Sequence, residues 1–278
     1  MTRTRVLAAM IMAPVAIAAV LLLSTPWMVA AAAVLFLAGL WEWFRLAEID
    51  DALARGVLLL ANLLLMVALV WASSTDGSGS LVLFKLLALL GLVWWLLAAL
   101  WLRRPQFASD HDTHARVLKL AAATASVIPA WCALAVIHAG QPHGHRWLLI
   151  ALAIVWAADT GAYFAGRRFG RRKLAPRISP NKTIEGLLGG IVAGVLVAVL
   201  AAPLAGAGLA QLPLVALVAL LTVLFSVIGD LFESLLKRHV GAKDSGTMIP
   251  GHGGLLDRID GVLAALPAFA VAQIWLGF

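Results

Sequence analysis

Nine apolar runs, each long enough to cross a hydrocarbon layer, follow one another along this chain with only short polar breaks between them. They cover residues 6–23, 27–45, 56–72, 82–102, 117–138, 146–165, 183–204, 212–236 and 259–277. A helical span needs about 17–25 predominantly apolar residues. Lipid offers the backbone no hydrogen bonds, so a span is either a helix or a strand of a closed barrel. Barrel strands alternate apolar and polar residues, and these runs do not. The pattern predicts an all-α, polytopic integral membrane protein with about nine transmembrane helices. Composition agrees, since 63% of the 278 residues are hydrophobic and 13% charged, against about one quarter charged in a soluble domain. One membrane domain is expected over 1–278. Residues 1–145 would serve packing or dimerisation, and 146–278 would carry the chemistry. Arg3 and Arg5 before an apolar stretch could mark a cleaved signal, but apolar sequence resumes at once, so the first run is read as retained.

The net charge of +7 does not point to nucleic acid once its distribution is followed. With the N-terminus placed in the cytoplasm, 19 of the 21 basic residues fall in cytoplasmic segments, leaving only Lys85 and Arg146 outside. That asymmetry predicts an N-in, C-out topology and a cytoplasm-facing site. Asp76 is then the one outer acid. The single cysteine, Cys132, can form neither an internal disulfide nor a thiolate metal site and reads as a small buried hydrophobe.

Three charged clusters stand out, all at predicted cytoplasmic helix ends. In DTGAYFAGRRFGRRK, residues 159–173, Asp159 lies inside apolar sequence, where an ionisable group suggests either a site or a buried ion pair. The Arg and Lys behind it suit anionic lipid headgroups. In RISPNKTIEG, residues 177–186, Ser179, Asn181, Lys182 and Thr183 gather donors in a turn that opens a helix. Helix N-termini favour anions, although Thr183 and Glu185 also suit simple capping. Lys182 opposes the helix dipole, which suits neutralising a phosphate better than capping. Gly186, Gly190 and Gly194 form a packing stripe.

The third cluster runs from Gly229 to Asp260. Asp230, Glu233, Ser234 and Lys237 share one helical face. Lys243, Asp244 and Ser245 follow in a loop. The turn PGHGG, with His252, Gly253 and Gly254, lets backbone amides approach a ligand. Asp257, Arg258 and Asp260 open the last helix. The carboxylates are hard oxygen ligands suited to Mg²⁺, and Lys237, Arg238, Lys243 and Arg258 suit phosphate oxygens. Together they make a kit for phosphoryl or nucleotidyl transfer. His252 suits a phosphate contact rather than a base, because a phosphomonoester is already mostly ionised at neutral pH.

SLLKRHVGAKDSGTMIPGHGGLLDRID, residues 234–260, resembles the signature of phosphatidate cytidylyltransferases, and residues 159–183 resemble that family's upstream block. The N-terminal run, with Trp-Glu-Trp at 41–43, is similar in length and character to the bacterial enzymes. The resemblance implies transfer of a cytidylyl group from CTP to phosphatidate, giving CDP-diacylglycerol and pyrophosphate. It implies a Mg²⁺-dependent enzyme of the bacterial inner membrane, a homodimer among membrane lipids. Asp230 and Asp257 would be metal ligands, with Glu233 and Asp260 as further candidates. Lys182, Lys237, Arg238, Lys243 and Arg258 would neutralise phosphates, with Ser179, Asp244 and His252 as lesser contacts. A CTP-dependent lipid or polyprenol kinase is the nearest alternative. A transporter is the more distant one, and it would need polar residues at mid-membrane and paired broken helices.

Overall fold

The computed structural model describes residues 13–75, 81–248 and 253–277. Among them run nine helices: α1 (Ala13–Leu22), α2 (Thr25–Leu46), α3 (Ala52–Thr75), α4 (Val82–Trp101), α5 (Thr113–Ala139), α6 (Gly144–Phe169), α7 (Ile184–Ala201), α8 (Leu212–His239) and α9 (Leu256–Leu276). All but α1 are long and apolar enough to cross a membrane. Twenty residues of helix reach about 30 Å, the thickness of the hydrocarbon core. Each predicted run coincides with a helix; for the first, only the part from Ala13 onward lies among the described residues.

Several helices start earlier than apolar sequence alone predicts, because polar side chains cap them. Asp51 Oδ2 accepts from Ala54 N–H at the start of α3, and Asp112 Oδ1 accepts from Ala115 N–H at the start of α5. Such caps satisfy first-turn amides that have no partner within the helix.

Between α6 and α7 the chain makes a small antiparallel hairpin where the sequence predicts only a turn that opens a helix. Strand β1 (Lys173–Ala175) pairs with β2 (Ser179–Thr183), Lys173 opposite Thr183 and Ala175 opposite Ser179. Tertiary contact holds it there: Ile178 is buried against Leu231 and Leu235 of α8, with Leu174 and Ala175 beside them. Arg238 Nε donates to the Ile178 carbonyl at 3.1 Å.

Helix α5 is the central pillar, with 78% of its span buried inside the protein, against 17% for α3 at the periphery. Its small residues Ala122, Ala123, Ser126, Ala130 and Ala133 let neighbouring backbones come close. Helix α2 lies antiparallel to it, tied at both ends by indole groups. Trp43 Nε1 donates to the Lys119 carbonyl, and Trp131 Nε1 donates to the Val29 carbonyl. Cys132 is fully buried, as expected.

Pro267 in the middle of α9 has no N–H to give the Leu263 carbonyl four residues earlier. Trp95 Nε1 of α4 supplies that donor at 3.1 Å, so the helix continues unbroken. Around Phe232 of α8, the rings of Trp43, Trp94, Trp95 and Trp101 lie with centroids 6.1, 5.8, 6.0 and 5.3 Å away. This aromatic grip, mostly edge-to-face, fixes the rotation of α8 one residue before Glu233. Exposed Trp27, Trp71 and Trp275 sit near the opposite ends of α2, α3 and α9, as in the aromatic belt of a membrane interface.

Candidate active site

Helices α8 and α9 cross so closely at the charged end that side chains there would obstruct them. A methyl group on Gly229 would overlap the Asp260 carbonyl, and one on Gly261 would overlap Ser226 Oγ. The crossing brings the polar stripe of α8 against the first turns of α9. The hairpin and α6 close the site from the other side.

The acidic side chains fall into two neighbouring groups. In the first, Lys237 Nζ lies 2.5 Å from Glu233 Oε2 and 2.6 Å from Asp257 Oδ1. Asp257 Oδ2 accepts from the backbone N–H of Ser245 at 3.1 Å and of Gly254 at 2.8 Å. Asp257 thus ties Ser245 and Gly254 to the start of its own helix. Gly253, at φ +81°, makes the turn in a conformation other residues resist.

In the second group, Lys182 of the hairpin forms an ion pair with Asp230 Oδ2, and Ser234 Oγ donates to Asp230 Oδ1 at 3.3 Å. Asp159 of α6 is within electrostatic reach of Asp230, Lys182 and Arg258. Asp260 interacts with the charges of Asp230, Glu233 and Lys182, and its Oδ1 accepts from Gly261 N–H. Lys182 and Asp230 remain partly exposed, with 25% and 34% of their side-chain surface accessible. This group is therefore the open side of the site.

Residues that the sequence places up to 101 positions apart therefore meet here: Asp159, Lys182, Asp230, Glu233, Ser234, Lys237, Ser245, Gly254, Asp257 and Asp260. Lys243, Asp244 and Arg258 are exposed at its rim, with Asp244 packed beside Gly253. Arg238 is exposed and holds the hairpin through Ile178. Thr183 is buried and caps α7 by accepting from Gly186 N–H at 3.1 Å. Ser179 and Asn181 lie on β2, Asn181 exposed. His252 lies outside the described residues.

Two contributions escaped the sequence reading. Glu185 accepts from the N–H groups of Arg171 and Arg172 and from Arg172 Nε, which clamps the base of the hairpin. Glu42, the acid of the Trp-Glu-Trp run on α2, reaches the loop before α9. Its signal was present as a carboxyl group inside apolar sequence.

Among the described residues, no three His, Cys, Asp or Glu groups are arranged as a ready metal cage. The donor set suits a lighter form of binding. Asp159, Asp230 and Asp260 offer hard oxygens on one side of the site, and each proposed principal ligand already has a lysine ammonium on an oxygen: Lys182 on Asp230 and Lys237 on Asp257. Mg²⁺ commonly binds through one or two carboxylates plus water and nucleotide phosphate, and this set offers the carboxylates. A cavity of about 430 Å³ at the opposite end of the bundle is lined by Lys85, Gln141, His143, Gln211 and Gln273, and by none of these site residues.

The sequence profile of the Cytidylyltransferase family matches residues 3–275. A Pseudomonas aeruginosa protein named phosphatidate cytidylyltransferase is 37% identical over 276 residues, covering 99% of this chain and 97% of that one. Its Haemophilus influenzae namesake is 33% identical over 283 residues, covering 97% and 98%. A Bacillus subtilis protein of the same name is 41% identical over 125 residues, 45% of this chain and 46% of its own.

Proposed function

This chain belongs to the cytidylyltransferase family, and we propose that it transfers the cytidylyl group of CTP to phosphatidate, giving CDP-diacylglycerol and pyrophosphate. The observation that carries the reading is the meeting of carboxylates and lysines where α8, α9 and the hairpin converge. Nucleotidyl transfer needs little covalent help from a protein; it needs two anionic substrates held in line and their charge offset.

Phosphatidate approaches from the lipid with its phosphate at headgroup depth, and CTP arrives from water. Lys182 and Arg258 sit on the open side, where they suit the phosphate of the lipid and the α-phosphate of CTP. Lys237, Arg238 and Lys243 suit the departing pyrophosphate. An oxygen of the phosphatidate phosphate attacks the α-phosphorus as the bond to the β-phosphate oxygen breaks. No general base is required, because that oxygen is already largely deprotonated at neutral pH. Asp230, with Asp159 and Asp260 beside it, and Asp257 would hold Mg²⁺. When bound, the ion offsets charge on the triphosphate. Glu233 keeps Lys237 oriented. Ser179, Asn181, Asp244, His252 and the amides of Gly253 and Gly254 complete the proposed substrate contacts.

The placement of basic residues supports an N-in, C-out chain in a bacterial inner membrane, with the site facing the cytoplasm. A homodimer is part of the same proposal, supported by the family resemblance.

The test uses purified protein in detergent with phosphatidate, Mg²⁺ and α-labelled CTP. Label entering the lipid with release of pyrophosphate, both lost on adding EDTA, is expected. Release of CDP without labelled lipid would replace this reading with a CTP-dependent lipid kinase. Lipid labelling that survives EDTA would remove the metal from the proposal.

A further inference from the structure

Glu42 lies on α2, in the half of the chain expected only to pack, and its side chain is buried, with the residue 2% exposed. Its Oε2 accepts from Ser245 Oγ at 3.1 Å and from Leu256 N–H at 2.8 Å, donors 203 and 214 residues further along the chain. Ser245 passes the connection on. Its Oγ accepts from Asp257 N–H at 3.3 Å, and its own N–H donates to Asp257 Oδ2 at 3.1 Å.

The surroundings are shaped around this carboxyl group. A methyl group on Gly246 would overlap Glu42 Oε1, and one on Gly254 would overlap Glu42 Oε2 and Ser245 Oγ. Among the described residues Glu42 forms no ion pair, and Oε1 has no hydrogen-bond partner. Burying a carboxyl group without a cation is costly. A residue that only packed α2 against its neighbours would be apolar. Among the described residues, both hydrogen bonds of the Glu42 side chain end on Ser245 and Leu256, on either side of the turn that leads into Asp257.

We infer that Glu42 is a positioning residue for the reaction: through Ser245 and the Leu256 amide it sets where the Asp257 carboxylate points. This rests on the reading of the site as a cytidylyl-transfer centre. It makes α2 part of the working site rather than a packing element.

Full-length Glu42→Ala, Glu42→Gln and Ser245→Ala proteins in detergent test this by two readouts: kinetics of label transfer, and hydrogen exchange over residues 241–257. Glu42→Ala is expected to lower kcat about 100-fold with the KM for CTP within about threefold, the loss typical of a small misplacement of reacting groups. Exchange should quicken at Ser245, Gly254 and Leu256 while α5 and the later turns of α9 keep their protection. In Glu42→Gln the amide oxygen can still accept both bonds, so kcat should stay within about tenfold of the parent. Parental kcat and loop exchange in Glu42→Ala would overturn the inference. So would accelerated exchange throughout the bundle, or a Gln variant as inactive as the Ala variant.

If Glu42→Ala does not yield folded protein, Ser245→Ala decides the matter. A lower kcat with faster exchange in the same segment supports the relay, and parental behaviour in both refutes it. A parent protein that labels no lipid would defeat the cytidylyl-transfer reading. The exchange measurement would then still decide whether Glu42 holds the Asp257 segment.

Discussion

Lys237 Nζ lies 2.6 Å from Asp257 Oδ1, so a single charged bond joins the last turn of α8 to the first turn of α9. Lys237 also meets Glu233, one turn before it on α8. The proposed site therefore straddles the helix crossing, and disturbing either partner changes charge and geometry together.

Asp257→Asn keeps the shape of the side chain but removes its charge. It should leave a folded, monodisperse protein, because Lys237 retains Glu233. Transfer of label from CTP to lipid should fall by about 1,000-fold, the upper range for losing one charge-stabilising group at a reacting centre. Near-parental turnover in purified Asp257→Asn would remove Asp257 from the machinery.

Lys182→Met removes the ammonium paired with Asp230 on the open side. Because both groups are partly exposed, thermal stability should change little. The specificity constant for phosphatidate should fall about 100-fold if Lys182 meets substrate phosphate. A large drop in melting temperature with unchanged kinetics would instead make the pair a structural clasp.

Trp95→Phe keeps most of the ring but leaves the Leu263 carbonyl without its indole donor in a buried position. The cost should be about 1–3 kcal/mol, that of an unsatisfied buried polar group. Thermal unfolding in detergent would register it, and catalytic constants should hold in the protein that remains folded. Unchanged stability would show that α9 tolerates its proline gap without α4.

Glu48, in the turn after α2, offers a pH test away from the proposed site. Partial burial alone would raise its pKa. Hydrogen bonding from His111 at 2.5 Å and the charge of buried Lys119 at 3.3 Å outweigh that and hold the carboxyl below the usual range. A depressed carboxylate pKa stabilises the fold above the unfolded value, about 4.3, and that contribution fades as pH falls through the lower folded value. Glu48→Gln should therefore be less stable than the parent near neutrality, with the gap in melting temperature closing in acid. A gap independent of pH would assign the effect to packing.

The membrane helices were legible because unbroken apolar runs leave the backbone no other arrangement in lipid. The polar face of α8 was legible because Asp230, Glu233, Ser234 and Lys237 fall at helical spacing. The hairpin was not: KLA and SPNKT carry no alternating pattern, and Ile178 packing on α8 is what makes them strands. Nor was the early start of α9 at Leu256. Its first amide is capped by Glu42 from a distant helix, a bond that leaves no trace in local sequence.

Glu42 has a consequence for how the protein is made. Chains grow from the N-terminus, so α2 enters the membrane long before α9 is synthesised. Until then its carboxyl group lacks the Leu256 amide that it caps, and a polar group short of partners is unfavourable in such surroundings. Arrival of the ninth helix relieves that penalty and completes the proposed site in the same event. A nascent chain with eight helices inserted is thus expected to be inert toward CTP, so turnover begins only once assembly is finished.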